Sequence, residues 1–266
     1  MDEAIAYVVG VNMAPEYDGD GVTAGWFDVG VEIRGPSVAE LTGLFDEQYE
    51  RPDPRSGLLA RYRKRRGLTA TDVSGDVQVL PVNPGRQASS LLRTLYGDLP
   101  AAGRIWLCSP YFLPPPQLRR TLGRAARRGV DVRLLLPAKN DVSMARLAAR
   151  RLYSGLLRNG VQVYEYLPQM IHAKLFLVDQ TVYVGSSNLD PRSLYLNHEL
   201  MIRSTEPGLA AAAEGTLNEL FRLSRPVDRQ TWSGSRSWTE KLRERWSYFL
   251  LYRLDPWLTR SLTPVR

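Results

Sequence analysis

An imidazole, an ammonium, a carboxamide and a carboxylate occur in close order within residues 169–200, QMIHAKLFLVDQTVYVGSSNLDPRSLYLNHEL. His172 and Lys174 are two positions apart, which places both on one face of a strand. Gln180-Thr181 suits a turn, and Val182 to Val184 suits a second, β-branched strand. Gly185, Ser186, Ser187 and Asn188 follow, and Glu199 comes a short helix or loop later. At one strand-end pocket these groups suit phosphoryl or phosphatidyl transfer. An imidazole can attack phosphorus, while Lys174 and Asn188 hold the equatorial oxygens. The Glu199 carboxylate can fix the imidazole tautomer from behind. No cofactor and no metal is required.

The stretch resembles the HKD signature of the phospholipase D superfamily. His172-x-Lys174 is followed by four residues, Asp179, five residues, and Gly185-Ser186-x-Asn188. The second spacing is one residue shorter than the family pattern. The surrounding text is most similar to bacterial cardiolipin synthases. The resemblance implies an α/β, phospholipase D-like fold with mixed or parallel β-sheets flanked by helices, in two pseudo-repeated lobes. It makes His172 an acid/base or nucleophile, Lys174 and Asn188 phosphate ligands, and Glu199 the orienting carboxylate of His172. Asp179 braces the motif strands; Gly185, Ser186 and Ser187 shape the loop. Members transfer a phosphatidyl group by ping-pong through a phosphohistidine. In cardiolipin synthases one phosphatidylglycerol is donor and a second is acceptor, with glycerol released.

The opening of the chain resembles the tail of a degenerate first motif. Asp2 stands at the motif aspartate, and Val9-Gly10-Val11-Asn12 stands where Gly-Ser-x-Asn belongs. Asp28 matches the carboxylate that supports the first-motif histidine. A first His-x-Lys would precede Met1, so the first lobe is expected to be incomplete. A missing N-terminal segment, a variant that discarded one half-site, and a homodimer of single motifs are the alternatives. An acid and a nucleophile are then not both available within one chain, and activity is expected to be impaired.

The elements around the motif read as β-α-β grammar. Ile5 to Val11 and Trp26 to Ile33 are strand candidates, and Ser37 can cap a helix to about Tyr49. Strands are expected at Val77–Leu80, Arg104–Cys108, Val130–Leu136 and Val161–Tyr164, with helices near 89–96, 117–128 and 143–158. Tyr111, in the PYFLP run after one strand, lines the pocket mouth or packs beneath it. Lys139 and Asn140 follow another strand, where α/β folds place ligands. The division expected is 1–75 as partial first lobe plus basic linker, 76–230 as complete second lobe, and 231–266 as amphipathic C-terminal helix. That last helix, with Trp238, Leu242, Trp246 and Phe249 at helical spacing, either closes the lobe or lies in a membrane interface.

Composition narrows the partners. The formal charge is +7, and RYRKRRG at 61–67 is the densest basic run, a solvated linker or a contact for an anionic surface or nucleic acid. An anionic, phosphatidylglycerol-like phospholipid is the leading partner, through peripheral contact at the cytoplasmic face of the membrane. A nuclease-type phosphodiesterase of the same superfamily and a non-catalytic lipid-surface module are the other readings; nucleic acid ranks below lipid. One cysteine, Cys108, excludes an intramolecular disulfide, and two histidines exclude a histidine-rich metal site. No run of apolar residues is long enough to span a bilayer.

Overall fold

A computed structural model of the chain describes residues 4–49, 76–84, 89–232 and 234–255. Asp2, the basic run at 61–67 and the end of the C-terminal segment lie outside the described residues.

Among the described residues, eight strands form one mixed sheet, ordered β10-β6-β5-β4-β7-β8-β9-β3. They are β3 (Val77–Val82), β4 (Arg104–Cys108), β5 (Asp131–Pro137), β6 (Gln162–Tyr166), β7 (Leu175–Val178), β8 (Thr181–Gly185), β9 (Glu199–Ser204) and β10 (Ser224–Pro226). Only β4, β5 and β6 run parallel, joined by the helices α3 (Pro116–Arg127) and α4 (Ser143–Arg158). A helical crossover is what a parallel pair needs, whereas β7 and β8 can be joined directly. β1 (Ile5–Val9) and β2 (Gly30–Arg34) form a separate antiparallel pair, followed by α1 (Ser37–Tyr49).

Both faces of the large sheet are covered, so its central strands are apolar at consecutive positions. Ile105, Leu107, Leu134 and Phe176 point to one side, toward α2 (Ser90–Asp98), α3 and α4. Trp106, Cys108, Leu135, Leu175 and Leu177 point to the other, toward α6 (Pro207–Arg222). Val8, Ile33, Val38 and Leu41 join that second cluster, so the N-terminal strand pair and α1 share a core with the large sheet. Strand alternation thus produces two cores from one sheet.

The register sets where the chemistry can sit. Cys108 pairs with Leu175, Leu175 with Val184, and Gly185 with Met201. The carboxyl ends of β4 and β8 and the starts of β7 and β9 therefore share one edge. The β7–β8 turn is Asp179-Gln180, one residue earlier than the sequence suggests. Asp179 adopts φ 52°, a left-handed conformation that Asp tolerates better than most side chains. Its carboxylate accepts from Gly103 N and Arg104 N at 3.0 and 2.9 Å, tying the turn to the start of β4.

A Cβ on Gly185 would overlap Leu200 O and Met201 Cα across the β8–β9 pair. Gly185→Ala should therefore force the two strands apart and destabilise the fold by roughly 2–4 kcal/mol. Urea unfolding measures this, and an unchanged midpoint would show that the pair has room to spare.

Candidate active site

His172 and Lys174 precede β7 rather than lying within it, in an extended segment whose alternate residues Ile171 and Ala173 are fully buried. That segment is held by the N-terminal loop. His172 N donates to Phe27 O at 2.6 Å, and Phe27 N donates to Met170 O at 2.9 Å. Tyr166 Oη and Gln169 Nε2 fasten the same loop by donating to Gly21 O and Thr23 O. Asp20 keeps the loop folded by accepting from the N–H groups of Val22, Thr23 and Ala24, which lowers its carboxyl well below the usual range.

The loop delivers Asp28 to the imidazole. His172 Nδ1 lies 2.8 Å from Asp28 Oδ2, 2.7 Å from Tyr17 Oη and 2.6 Å from Lys174 Nζ. A neutral imidazole nitrogen offers one proton or one lone pair, so these three neighbours compete. Asp28 can only accept, which favours the proton on Nδ1 and leaves the Nε2 lone pair as the ring's acceptor, facing Lys174 Nζ at 3.1 Å. Lys174 then donates to His172 O at 2.5 Å and lies 3.8 Å from Asp28 Oδ2. Burial pushes the Tyr17 hydroxyl up to about 12, with Asp28 adding to the effect, so it remains a donor at neutral pH. The rings of Tyr17, Trp26 and Tyr111 stand 5.6, 5.5 and 6.4 Å from that of His172.

Two carboxylate expectations are corrected. Glu199 does not hold the His172 ring: it accepts from Ser186 Oγ at 2.6 Å and Asn197 Nδ2 at 3.2 Å. Asp28, expected to serve a first-motif histidine, serves His172 instead. The physical reason is topological. Glu199 opens β9 beyond β8, whereas the Phe27–Ile171 bridge sets the N-terminal loop alongside the histidine segment. Asp179 is likewise removed from the ring, at the far end of a strand that advances about 3.3 Å per residue.

The remaining sequence candidates divide between site edge and support. Tyr111 Oη donates to Asp141 Oδ1 at 2.7 Å, and burial with this bond drives its hydroxyl upward. Asn12 Nδ2 reaches Tyr17 Oη at 3.4 Å and so touches the cluster through the phenol. Asn188 Nδ2 donates to Ser193 Oγ, leaving a buried Oδ1 without a hydrogen-bond partner. Exchanging the two amide atoms lets Asn188 accept from Ser193 and turns the orphan into an N–H donor, which suits an anionic oxygen. Ser187 is fully buried in the loop. Asp190 caps α5 (Pro191–Tyr195) through Arg192 N and Ser193 N, and burial raises it to about 6. Lys139 and Asn140 bond the carbonyls of Pro168 and Pro110. His198 is exposed, with Nδ1 3.2 Å from Asn83 Oδ1. Cys108 is sealed, and burial pushes its thiol up.

Tyr17, Trp26 and Asp141 were not singled out as site residues from sequence. They come together only through loops, and no periodicity connects them to the motif. Asp190-Pro191 had a readable signal, a side-chain cap followed by proline at the first helical position.

Residues 100–221 match the family model described as "Cardiolipin synthase, PLD-like domain". The chain is 35% identical over 240 residues to cardiolipin synthase A of Pseudomonas aeruginosa, covering 87% of this chain and 47% of that relative. To cardiolipin synthase A of Yersinia pseudotuberculosis it is 28% identical over 260 residues, covering 94% and 52%. The chain thus spans about half the length of the curated relatives it matches. The solved phosphatidylserine synthase of Haemophilus influenzae is similar in fold, with a TM-score of 0.58 and 15% identity over 87% of this chain and 63% of that one.

Lys174 is the group whose titration reports on this site. Burial lowers its ammonium from 10.5 to about 8, partly opposed by Asp28 and Glu199. Between about 8 and 10.5 the unfolded chain binds the extra proton, so stability rises with pH across that window. Below about 8 the cost is fully present. Relative to Lys174→Met, the native chain should gain on the order of 3 kcal/mol from pH 8 to 10.5 in denaturant melts. A flat difference between the two would remove the buried-ammonium account.

Proposed function

We propose that this chain, which carries a phospholipase D-like domain of the cardiolipin synthase family, supplies one half of a phosphatidyl-transfer site for anionic phospholipid. The observation that carries this reading is the enclosed His172–Asp28–Lys174 cluster at the strand-end edge. With its proton on Nδ1 held by Asp28, His172 uses Nε2 either as nucleophile or as acid/base. As nucleophile it forms a phosphorus–nitrogen bond while the phosphorus–oxygen bond to the leaving alcohol breaks. That alkoxide needs a proton from a second acid. An incoming alcohol then attacks phosphorus, gives up its proton to that same second group, now a base, and releases the imidazole. Lys174 and Asn188 stabilise the charge on the equatorial oxygens.

The substrate class follows from the family and the charge. Phosphatidylglycerol as donor and a second phosphatidylglycerol as acceptor would give cardiolipin and glycerol, at the cytoplasmic face of a membrane. Water as acceptor would give hydrolysis. The family's two-histidine ping-pong needs a partner for His172, and the sequence contains a single His-x-Lys. That supports weak turnover by this chain alone, and it favours a second reading, a lipid-binding module with little chemistry.

Incubating the purified chain with phosphatidylglycerol vesicles and quantifying cardiolipin by mass spectrometry tests both parts. Production should run at least about a hundredfold below that of a two-motif cardiolipin synthase. Whatever is made should vanish in His172→Ala. Robust cardiolipin synthesis would overturn the half-site reading, and turnover that survives His172→Ala would remove the histidine from the chemistry.

A further inference from the structure

The C-terminal helix is packed with its polar side inward. Helix α8 (Trp238–Phe249) begins at a capping box, with Ser237 Oγ accepting from Glu240 N and the Glu240 carboxylate accepting from Ser237 N. Its buried residues are Glu244 and Ser247, set against α4. Glu244 is 1% exposed, bonded to Arg236 Nη1 at 2.6 Å, with Arg150 Nε at 3.6 Å. Tyr248 packs against the core beside them, whereas a stripe of four aromatic and aliphatic residues points the other way. Trp238, Leu242, Trp246 and Phe249 are 75, 45, 57 and 49% exposed. At 3.6 residues per turn these four occupy one stripe of about 80°.

Charge is arranged to match. Lys241 and Arg245 flank the stripe on one side and Arg243 on the other, all exposed and in no ion pair among the described residues. The acidic residues of the helix, Glu240 and Glu244, are held in the cap and in the buried ion pairs. A soluble surface ordinarily shows the reverse pattern, with apolar residues turned inward.

We infer that the outward face of α8 docks on an anionic lipid bilayer, with Trp238, Trp246 and Phe249 at headgroup depth and Lys241, Arg243 and Arg245 on lipid phosphates. Apolar contact and attraction to acidic headgroups add in such a helix, which lies in the interface plane without crossing it. No described helix is long and apolar enough to cross a membrane. The inference stands on this helix and is separable from the chemistry of His172. It adds to the lipid reading a specific docking face and a defined orientation. Arg192 Nη2 and Nε meet the Asp255 carboxylate at 2.6 Å, so the helical turn Leu250–Leu254 that continues α8 is fixed at its end to α5, directly after the Gly-Ser-Ser-Asn loop.

Flotation of the full chain with vesicles of phosphatidylglycerol and phosphatidylcholine, and with phosphatidylcholine alone, tests the inference. Brominated lipids in parallel report tryptophan depth. Binding should require phosphatidylglycerol, weaken as salt rises, and survive His172→Ala. Trp238→Ser with Phe249→Ser should weaken it at least about tenfold with the melting profile unchanged. Lys241→Gln with Arg245→Gln should do the same. Trp238→Phe with Trp246→Phe should keep the binding and abolish the bromine quenching. Equal binding by the serine variants, or no quenching in the native chain, would overturn the inference. So would concentration-dependent self-association that the serine variants abolish, which would assign the face to a second copy. Binding of single-stranded DNA lost in the same variants would overturn it equally.

Discussion

A lysine ammonium withdrawn from water is the constraint on which this site depends. Lys174 is 1% exposed, and a buried charge is tolerated only when paired and hydrogen-bonded. Its partners are the backbone carbonyl and ring Nε2 of His172 and, at 3.8 Å, the equally buried Asp28. Asp28 belongs to the N-terminal loop, 144 positions from His172 along the chain. The β1–β2 pair, its apolar contacts with the large sheet and the Phe27–His172 backbone bonds all serve to hold that carboxylate in place. Removing it would leave a cation stranded in low dielectric, which costs more than the pair itself contributes.

The sheet makes the arrangement possible by changing direction at β4. Parallel neighbours on one side bring loops carrying Tyr111 and Asp141 to its carboxyl end. Antiparallel neighbours on the other bring the start of β7 and the end of β8 to the same edge. One strand thus gathers two kinds of loop. Ligand sites in open α/β sheets form at this kind of crevice.

Much of the molecule was legible before any coordinates. The β-α-β patterning from Val77 to Tyr164 placed its strands and helices to within about two residues, whereas β2 begins at Gly30 rather than Trp26. The motif spacing suggested a chemistry because His172, Lys174 and Asn188 are local to one hairpin and its exit. The carboxylate assignment failed for the opposite reason. Asp28 and Glu199 have the same chemistry, and only a contact spanning most of the chain decides which reaches the imidazole. Tyr17 was invisible on the same grounds. For α8, periodicity located the stripe of Trp238, Leu242, Trp246 and Phe249 but not its direction. Burial of Glu244 turned the helix, and its partners Arg150 and Arg236 come from outside that stripe.

The separation between Asp28 and His172 also orders events in time. The Asp179-Gln180 turn closes β7 on β8 across two residues, a step of low entropic cost. The β4–β5–β6 crossovers need only neighbouring segments. The N-terminal loop, by contrast, meets the histidine segment only across most of the intervening chain, a separation that slows folding. By chain entropy alone, the Asp28–His172 contact, 144 positions apart, is the costliest of these closures. Interactions absent from the folding transition state act on the rate of unfolding. Were the Asp28–His172 contact among these, it would act as a brake on opening, and the lifetime of the assembled site would follow how slowly that strap lets go.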